Sequence, residues 1–494
     1  MRRVMGIETE YGIAGRGAER DPAAMSRLFL SCCRAAVSPG TIWDYSGETP
    51  WRDARGFQVE EEMAEIPAAE DNRLLNKILG NGGRLYIDAG HPEYASPECT
   101  SARDLVKYER AGDRMLALTL EWAAEELPPE TVFTLYKNNS DGKGNSYGCH
   151  ENYLVSRDVP LSRLSEWLAP FLVTRQIFAG AGKVGCEDGQ PDVFYQISQR
   201  ADFFESLIGL HTMKNRPIMN TRDEPHANPE RYRRVHVIVG DSNLCEAASY
   251  LKVAATSIVL DMIEHDWLPG RISVSLEDPV AALRQISRDL TCRTELRQED
   301  GKRRTAVHIQ REYLLAAWDY YDRYGLDMET KEALRRWGGV LDKLEQEPDM
   351  LHRELDWVAK KRLLESLMAR WGVDWRHSKI VMADLQYHDI RPEKGLYFAL
   401  ERRGFVDRLL SEDEIQTAVV KAPEDTRAYF RAECLRRFPE RIYGASWSSL
   451  LFHTGHDTVL KVPLMEPSRG TRELTGELFQ RCETADELLD ALRA

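Results

Sequence analysis

Residues 4–13 read Val-Met-Gly-Ile-Glu-Thr-Glu-Tyr-Gly-Ile. The alternation around Glu8 and Glu10 predicts a β-strand whose side chains point to opposite faces in turn, so that both carboxylates share one face. Two carboxylates ~7 Å apart along a strand repel each other unless a cation lies between them. Mg²⁺ prefers oxygen ligands of this kind. The stretch therefore indicates a metal site on a sheet, although the pair alone is also compatible with a solvated strand face.

Composition narrows the class of protein. The chain has 494 residues and a net charge of −14, which argues against non-specific nucleic-acid binding as its main task. Its nine cysteines are scattered without paired metal-type spacing, as is usual in the reduced cytosol. No apolar run approaches the ~20 residues of a membrane span. We therefore expect a cytoplasmic protein that binds neither nucleic acid nor membrane.

The order of the predicted elements indicates two domains. Strand patterns recur without alternating short helices, which predicts an antiparallel α+β sheet. From Pro39 to Asn81 the composition is loop-like and acidic, with the run Glu60-Glu61-Glu62, and predicts a long loop over about residues 40–80. The pattern restarts after Pro423. We expect a catalytic domain over residues 1–422 and a small C-terminal domain over residues 423–494.

Arg84-Leu85-Tyr86-Ile87-Asp88 predicts a second strand with a divided face. Leu85 and Ile87 would face the core, while Arg84, Tyr86 and Asp88 line up on the other side. A guanidinium, a phenol and a carboxylate in one row suit phosphate binding and base or nucleophile chemistry. The next residues, His91 to Glu98, contain two prolines and predict a bent loop with two more carboxylates, although a polar strand end with a turn is the alternative.

Further segments also predict strands with one apolar face and one polar face. His150 and Asn152 share a face, and the segments around Arg200 and around Arg234 and His236 alternate apolar with polar residues. Between them lies the irregular polar stretch Asn220–His226. Five segments that turn metal-capable or phosphate-capable side chains to one face of a sheet indicate a polar cradle, with acids for Mg²⁺ and arginines for phosphates.

These strings resemble the carboxylate-amine ligase family related to glutamine synthetase and glutamate-cysteine ligase, and within it the enzymes that attach or remove the small protein Pup. The resemblance covers nearly the whole chain and thins after about residue 425. It implies a glutamine-synthetase-like fold, in which a curved antiparallel sheet forms a cradle packed with helices and a small C-terminal α/β domain follows. The matching strings are Gly6–Gly12, Arg84–Asp88, His91–Tyr94, Lys137–Asn139, Asn145–Leu154, Phe171–Gln176, Asn220–His226, Tyr232–Asn243 and Tyr387–Ile390.

The same resemblance implies roles for single residues. Asp88 would be the catalytic carboxylate, as nucleophile or general base at the carbonyl of Pup's C-terminal side chain. Mg²⁺ would be surrounded by Glu8, Glu10, Tyr86, Glu93, His150 and His236. ATP, or ADP plus phosphate, would contact Arg84, Ser96, Asn152, Arg234 and Trp447. Arg200 and Arg222 would hold phosphate or the developing negative charge.

One segment separates removal of Pup from its attachment. Trp43-Asp44-Tyr45 and Arg52-Asp53-Ala54-Arg55-Gly56-Phe57 resemble a long loop that depupylases have and Pup ligases lack. This implies a depupylase and Pup deamidase, in which ATP is a bound cofactor and the partners are Pup and pupylated proteins. The rivals are a Pup–protein ligase, a homologue with an altered substrate, a small-molecule glutamate–amine ligase and a non-catalytic binding homologue. A monomer is compatible with the sequence.

Overall fold

The computed structural model describes residues 3–37, 40–59, 67–454 and 458–493. Its strands are β1 (Met5–Glu10), β2 (Gly12–Arg16), β3 (Ile42–Trp43), β4 (Asn76–Ile78), β5 (Arg84–Asp88), β6 (His91–Ala95), β7 (Val132–Tyr136), β8 (Cys149–Ser156), β9 (Lys183–Val184), β10 (Tyr195–Gln196), β11 (Ser206–Gly209), β12 (Pro217–Asn220), β13 (Tyr232–Val237), β14 (Glu295–Arg297), β15 (Arg303–Thr305), β16 (Ile442–Ala445), β17 (Ser449–His453) and β18 (Val459–Pro463). Its helices are α1 (Pro22–Ser31), α2 (Ala69–Leu75), α3 (Ala102–Glu126), α4 (Leu161–Thr174), α5 (Gln176–Ala179), α6 (Glu246–Glu264), α7 (Pro279–Arg288), α8 (Ala306–Tyr324), α9 (Met328–Gln346), α10 (Asp356–Trp371), α11 (Ser378–Tyr387), α12 (Leu396–Arg402), α13 (Glu412–Val420), α14 (Arg427–Arg437), α15 (Arg472–Arg481) and α16 (Ala485–Arg493).

The main sheet runs in the order β11-β12-β13-β8-β1-β6-β5-β4. Its pairings are antiparallel except for β11 with β12, which confirms the predicted α+β class. The first strand of the chain, β1, lies in the middle between β6 and β8. Its register places Glu8 opposite His150 and Glu10 opposite Glu93, so that the acidic face of β1 is flanked by polar side chains on both sides.

Helices cover the apolar side of this sheet. The apolar periodicity over residues 101–126 and 245–266 predicts two long helices, and these are α3 and α6. Both are largely buried in the main core with α4, α8 and α9. Ser101 caps α3, because its hydroxyl accepts a hydrogen bond of 3.0 Å from the amide of Asp104. Met5 and Ile7 of β1 face this core, and the metal-capable side chains of the central strands lie on the other face of the sheet.

The segment over residues 40–80, predicted as a long loop, contains secondary structure in its described part. Residues 42–43 form β3, residues 45–47 form a 3₁₀ turn, and α2 and β4 span Ala69–Ile78. The physical reason is Trp43, which is 1% exposed and whose backbone exchanges two hydrogen bonds with the Asn72 side chain. The acidic run Glu60–Glu62 lies outside the described residues.

The C-terminal strands form a four-stranded sheet in the order β18-β17-β16-β3. Because β3 pairs in parallel with β16, residues 42–43 share this sheet with the C-terminal strands β16, β17 and β18. Trp43 and Ile78 also belong to the same apolar cluster as Phe430, Leu450 and Phe452. The division into domains at residue 423 stays a prediction.

Two further segments differ from the sequence prediction. The alternation of apolar and polar residues before Arg200 predicts a strand over residues 192–200, but only Tyr195–Gln196 forms one, and it pairs with β9 outside the main sheet. Instead of a bent loop, residues 91–95 form β6, which returns alongside β5. The turn between them consists of Ala89 and Gly90, whose φ angles of 45° and 90° are those of a two-residue hairpin turn. Alanine rarely occupies that conformation, so the residue types at positions 89 and 90 do not indicate the hairpin.

All nine cysteines are free thiols, and eight of them are buried while Cys186 is half-buried. Among the described residues, none of the helices combines the length and the apolar character that a membrane crossing requires.

Candidate active site

A first group of metal-capable side chains lies on three adjacent central strands. Glu8 on β1, His150 on β8 and His236 on β13 bring their ligand atoms within 4.8 Å of one another. The rings of His150 and His236 meet edge to face at 5.0 Å between centroids. One carboxylate and two imidazoles form a donor set that suits a divalent cation.

A second group lies on the same face of the sheet, on the side of β1 where β6 and β5 follow. Glu10, Asp88 and Glu93 place one carboxylate oxygen each within 4.8 Å of the others. The β5–β6 hairpin creates this group, because its register puts Tyr86 opposite Glu93 and the end of β5 beside Glu10. Glu10 and Glu93 are buried, whereas Asp88 is exposed at the open end of the hairpin.

The second group concentrates carboxylates that repel one another. Burial and the charges of Asp88, Glu10 and Glu8 raise the pKa of Glu93 well above its usual value. Protein atoms around Asp88 desolvate its carboxyl and Glu10 repels its charge, so that the pKa of Asp88 is raised as well. Oε2 of Glu93 is buried without a hydrogen-bond partner. Three converging carboxylates with an unpartnered oxygen fit a hard divalent cation such as Mg²⁺.

In the first group, formed by Glu8, His150 and His236, positive or neutral donors surround the carboxylate. Burial would raise the pKa of Glu8, but its hydrogen bond to His150 and the nearby His236 and Arg234 outweigh burial and lower it. The Asn152 side chain links the ligands, since its amide donates to Glu8 at 3.1 Å and its carbonyl oxygen lies 2.8 Å from Nδ1 of His236. An Nδ1–H that donates to Asn152 leaves Nε2 of His236 available as a ligand.

Backbone packing holds Glu10 in place. The amide of Gly148 donates a hydrogen bond of 2.8 Å to Oε1 of Glu10. A Cβ atom at position 148 would lie 2.8 Å from that oxygen and 2.3 Å from Nε2 of His150. Only glycine therefore allows β1 and β8 to bring both ligands this close.

A cavity that is open to solvent adjoins the first group. It lies between β1, β8 and the C-terminal region. Its polar lining includes Glu8, Asn152 and Arg234, and Trp447 and Pro467 line it as well. Burial lowers the pKa of Arg234, whose Nε is buried without a hydrogen-bond partner. The Nη atoms of Arg234 donate to Asn152 at 3.0 Å and to Glu224 at 3.3 Å. An aromatic side chain and a buried guanidinium with one free N–H around the same cavity fit a nucleotide, with a base to stack and phosphates to neutralise. The predicted contacts Ser96, Asn152, Arg234 and Trp447 all line it.

Arg84 lies beside this cavity in a stack of aromatic rings. Its guanidinium carbon is 4.0 Å from the ring centroids of both Trp43 and Tyr86, and its Nε donates to Asn76 at 2.9 Å. Trp43 in turn meets Trp447 edge to face at 5.2 Å. Arg84 is thus connected to the cavity through Trp43 and Trp447.

The two remaining predicted arginines lie on different loops. Arg222 follows β12, has a buried Nε without a hydrogen-bond partner and lies near Asp88, whose pKa its charge lowers. Arg200 is buried and donates to the Ser146 hydroxyl and to the carbonyl oxygens of Ile238 and Gly240. Burial and the neighbouring Arg216 lower the pKa of Arg200 to about 10, while Glu10 opposes them. Both arginines therefore lie within electrostatic range of the acidic group.

Residues 51–58 dock on the loop that carries Arg222. The amide of Ala54 donates to the carbonyl oxygen of Thr221 at 2.8 Å, and the amide of Asp223 donates to that of Arg52 at 2.8 Å. Asp53 is 1% exposed and pairs with Arg222 through an isolated β-bridge. This segment therefore contacts the site through backbone and side-chain bonds.

Sequence reasoning missed two charged residues of the site. His91 lies opposite Asp88 in the hairpin, with Nδ1 3.5 Å from Oε2 of Glu10. Arg216 is buried near Glu10 and Arg200. Reading Ala89-Gly90 as a two-residue turn would have placed His91 on the acidic face, whereas Arg216 reaches the site only through the tertiary fold.

Known proteins resemble this chain over nearly its whole length. Residues 3–451 match the family model described as Pup-ligase protein. The chain belongs to this family. A depupylase of Acidothermus cellulolyticus is 48% identical over 100% of this chain and 99% of the relative. A Pup deamidase/depupylase of Mycolicibacterium smegmatis is 42% identical, with both chains covered completely.

Solved members of the Pup-ligase family have the same fold. The structure of the Pup ligase PafA in complex with Pup is similar over 99% of this chain and 94% of that one, with 34% identity and a TM-score of 0.81. PafA in complex with ADP is similar over 86% of this chain and 97% of that one, with 35% identity and a TM-score of 0.75. These similarities confirm the glutamine-synthetase-like family fold expected from the sequence.

Proposed function

We propose that this protein is a depupylase and Pup deamidase. It would hydrolyse the isopeptide bond between the side chain of Pup's C-terminal glutamate and a substrate lysine, and the side-chain amide of a C-terminal glutamine of Pup. The observation that carries the proposal is Asp88, an exposed carboxylate at the end of β5 that lies between the buried acids Glu10 and Glu93 and near Arg222.

Asp88 is the residue best placed to act on the Pup carbonyl. Its exposure allows a macromolecular substrate to reach it, and its raised pKa makes it a stronger base than an ordinary aspartate. It would either attack the carbonyl carbon or take a proton from the attacking water. The Arg222 guanidinium, with its unpartnered Nε, would hold the negative charge that develops on the carbonyl oxygen.

The remaining site residues would bind the cofactors. Glu8, His150 and His236 on one side, and Glu10, Glu93 and the neighbouring Tyr86 on the other, would hold Mg²⁺. Arg84, Ser96, Asn152, Arg234 and Trp447 would bind ATP, or ADP plus phosphate, and Arg200 would stabilise negative charge beside Glu10. Bound Mg²⁺ supplies Lewis-acid polarisation and charge neutralisation in sites of this kind.

Two observations favour removal of Pup over its attachment. The curated relatives that match the whole chain at 42–48% identity are depupylases, whereas the solved ligases are 34–35% identical. Residues 51–58 also cover the Arg222 loop beside Asp88. A hydrolase must admit water to the carbonyl, while a ligase must exclude it from an activated carboxylate, so a segment at this place can separate the two reactions.

The test offers both reactions to the same protein. The enzyme is incubated with ATP and Mg²⁺, first with glutamine-ended Pup and with a pupylated protein, then with glutamate-ended Pup and an acceptor protein. We expect mass spectrometry to find glutamate-ended Pup, and gels to show loss of the conjugate. Conjugate formed from free Pup without loss of pre-formed conjugate would instead establish ligation, and no reaction in either direction would leave a binding homologue.

A further inference from the structure

The C-terminal wall of the cavity is held by one buried carboxylate. Glu98, in the loop after β6, accepts hydrogen bonds from Nε of Arg427 at 2.7 Å and from Nη2 and Nη1 of Arg431 at 2.5 and 3.2 Å. Both arginines belong to α14 and are at most 2% exposed. We call Glu98, Arg427 and Arg431 the C-terminal clamp. It joins a loop of the main sheet to a helix more than 300 residues away in the chain.

The clamp reaches Trp447 directly. Nη1 of Arg431 donates to the carbonyl oxygen of Trp447 at 3.2 Å, and its guanidinium carbon lies 5.1 Å from the centroid of the Trp447 ring. Trp43 meets the same ring edge to face, and Trp447 also lines the cavity. The position of the indole at the cavity therefore depends on Arg431, which is held by Glu98 and by bonds of 3.2 and 2.8 Å from its Nε and Nη2 to the carbonyl oxygen of Gly82.

The other clamp arginine fixes the rest of this wall. Nη1 of Arg427 donates to the carbonyl oxygens of His226 at 2.7 Å and of Leu464 at 2.6 Å. Arg427, His226 and Pro467 all line the cavity. The hydroxyl of Thr426 adds a bond of 2.8 Å to the carbonyl oxygen of Glu98. The clamp thus sets the separation between the C-terminal wall and the strands β1 and β8.

From this arrangement we propose that Glu98 and Arg431 are positioning residues for the base of the nucleotide. They act through Trp447, which stacks on the base, and they leave the phosphates to Arg234 and the metal-binding side of the site. The inference rests on the proposed nucleotide binding. It assigns a role to charged residues that contact neither the reacting atoms nor the metal-capable groups.

The test compares a ligand that has a base with one that lacks it. Affinities of ATP and inorganic tripolyphosphate are measured by calorimetry with Mg²⁺ for the wild type, Glu98→Gln, Arg431→Lys and Trp447→Leu. Stacking of a base on an aromatic side chain corresponds to roughly tenfold or more in affinity, so we expect about tenfold weaker ATP binding in all three variants. Tripolyphosphate affinity should stay within about threefold of the wild type in each.

A matched control is available in the same C-terminal region. Asp486→Asn removes the exposed bidentate pair with Arg441, whose bonds are 2.6 and 2.9 Å, and should leave both affinities unchanged. If Glu98→Gln leaves two buried arginines unpaired and does not fold, Arg431→Lys carries the test because it keeps the charge and removes the planar fork.

Three results would overturn the inference. Equal losses of ATP and tripolyphosphate affinity would show a general structural role for the clamp. Unchanged ATP affinity in both clamp variants, with a loss in Trp447→Leu, would show that the indole is positioned without it. Failure of the wild type to bind either ligand would refute the nucleotide site itself, and that outcome is separate because it does not involve the variants.

Discussion

The hydroxyl of Thr221 donates a hydrogen bond of 2.6 Å to the buried carboxylate of Asp53. The same carboxylate accepts bonds from the backbone amide and the guanidinium of Arg55, so that it organises its own turn and fastens it to the Arg222 loop. Residues 51–58, which the sequence resemblance assigns to a depupylase loop, are therefore attached to the polar side of the sheet at a defined residue.

We expect Asp53→Ala to impair depupylation more than stability. Losing the bond to Thr221 should cost about 1–2 kcal/mol of unfolding free energy. The position of Arg222 near Asp88 should be lost with it, which would lower the rate several-fold. Urea unfolding and a conjugate-cleavage assay measure the two effects. A stability loss with an unchanged rate would show that the segment is structural only.

At Trp43, in the N-terminal part of residues 40–80, we expect substitution to affect mainly the stability of the protein. Because Trp43 is buried between Arg84 and Trp447, Trp43→Ala should cost about 4 kcal/mol of stability. Replacing all of residues 40–80 by a linker should therefore destabilise the protein, contrary to what a loop-like composition suggests. A linker in place of residues 50–66 alone keeps β3 and β4 and should leave the melting temperature within a few degrees of the wild type. A melting temperature unaffected by Trp43→Ala would contradict this division.

Asp88→Asn should abolish cleavage and keep nucleotide binding. The amide has the volume of the carboxylate but neither its nucleophilicity nor its basicity, so the rate should fall about a thousandfold or more. A single-turnover assay with a pupylated protein and calorimetry with ATP give the two measurements. Cleavage within about threefold of the wild type would remove Asp88 from its assigned role.

Metal binding should depend on pH through Glu93. The raised pKa of Glu93 means that it holds a proton in the metal-free protein at pH values below that pKa, and a cation must displace this proton. Mg²⁺ affinity should therefore rise with pH until the raised pKa is passed. Calorimetry in buffers of different ionisation enthalpy counts the released proton. Glu93→Gln should release fewer protons and bind Mg²⁺ more weakly, and identical proton release in both proteins would refute the assignment.

Acid should weaken the C-terminal clamp. Burial alone would raise the pKa of Glu98, but Arg431 and Arg427 outweigh it and hold the pKa at about 2, against a usual value of 4.5. A lowered folded-state pKa stabilises the protein fully above pH 4.5, and this contribution is lost as the pH falls toward 2. The shift corresponds to about 3 kcal/mol. Urea unfolding between pH 5 and about 2.5 should show this loss of unfolding free energy in the wild type and not in Glu98→Gln. Parallel pH profiles would contradict it.

The sequence predicted best what depends on a local period. The acidic face of β1, the divided face of β5 and the helices α3 and α6 follow from alternation or from helical spacing over consecutive residues. The packing of Trp43 on Trp447 and the clamp on Glu98 join residues hundreds of positions apart, and no local pattern encodes them. The group of Glu10, Asp88 and Glu93 falls between these cases, because a turn at Ala89 that is unusual for alanine brings its members together.

The distribution of the thiols makes one residue useful as a reporter. Cys186 is half-buried and the other eight cysteines are buried, so we expect a maleimide to modify Cys186 first. Its neighbour Glu187 accepts a hydrogen bond of 2.6 Å from the Ser140 hydroxyl. Ser140 begins the turn that ends at Ser146, and the hydroxyl of Ser146 accepts a hydrogen bond from Arg200. A fluorophore attached to the native chain would therefore be confined to one known position beside the catalytic cradle, and it could follow the arrival of Pup in real time without removal of a single cysteine.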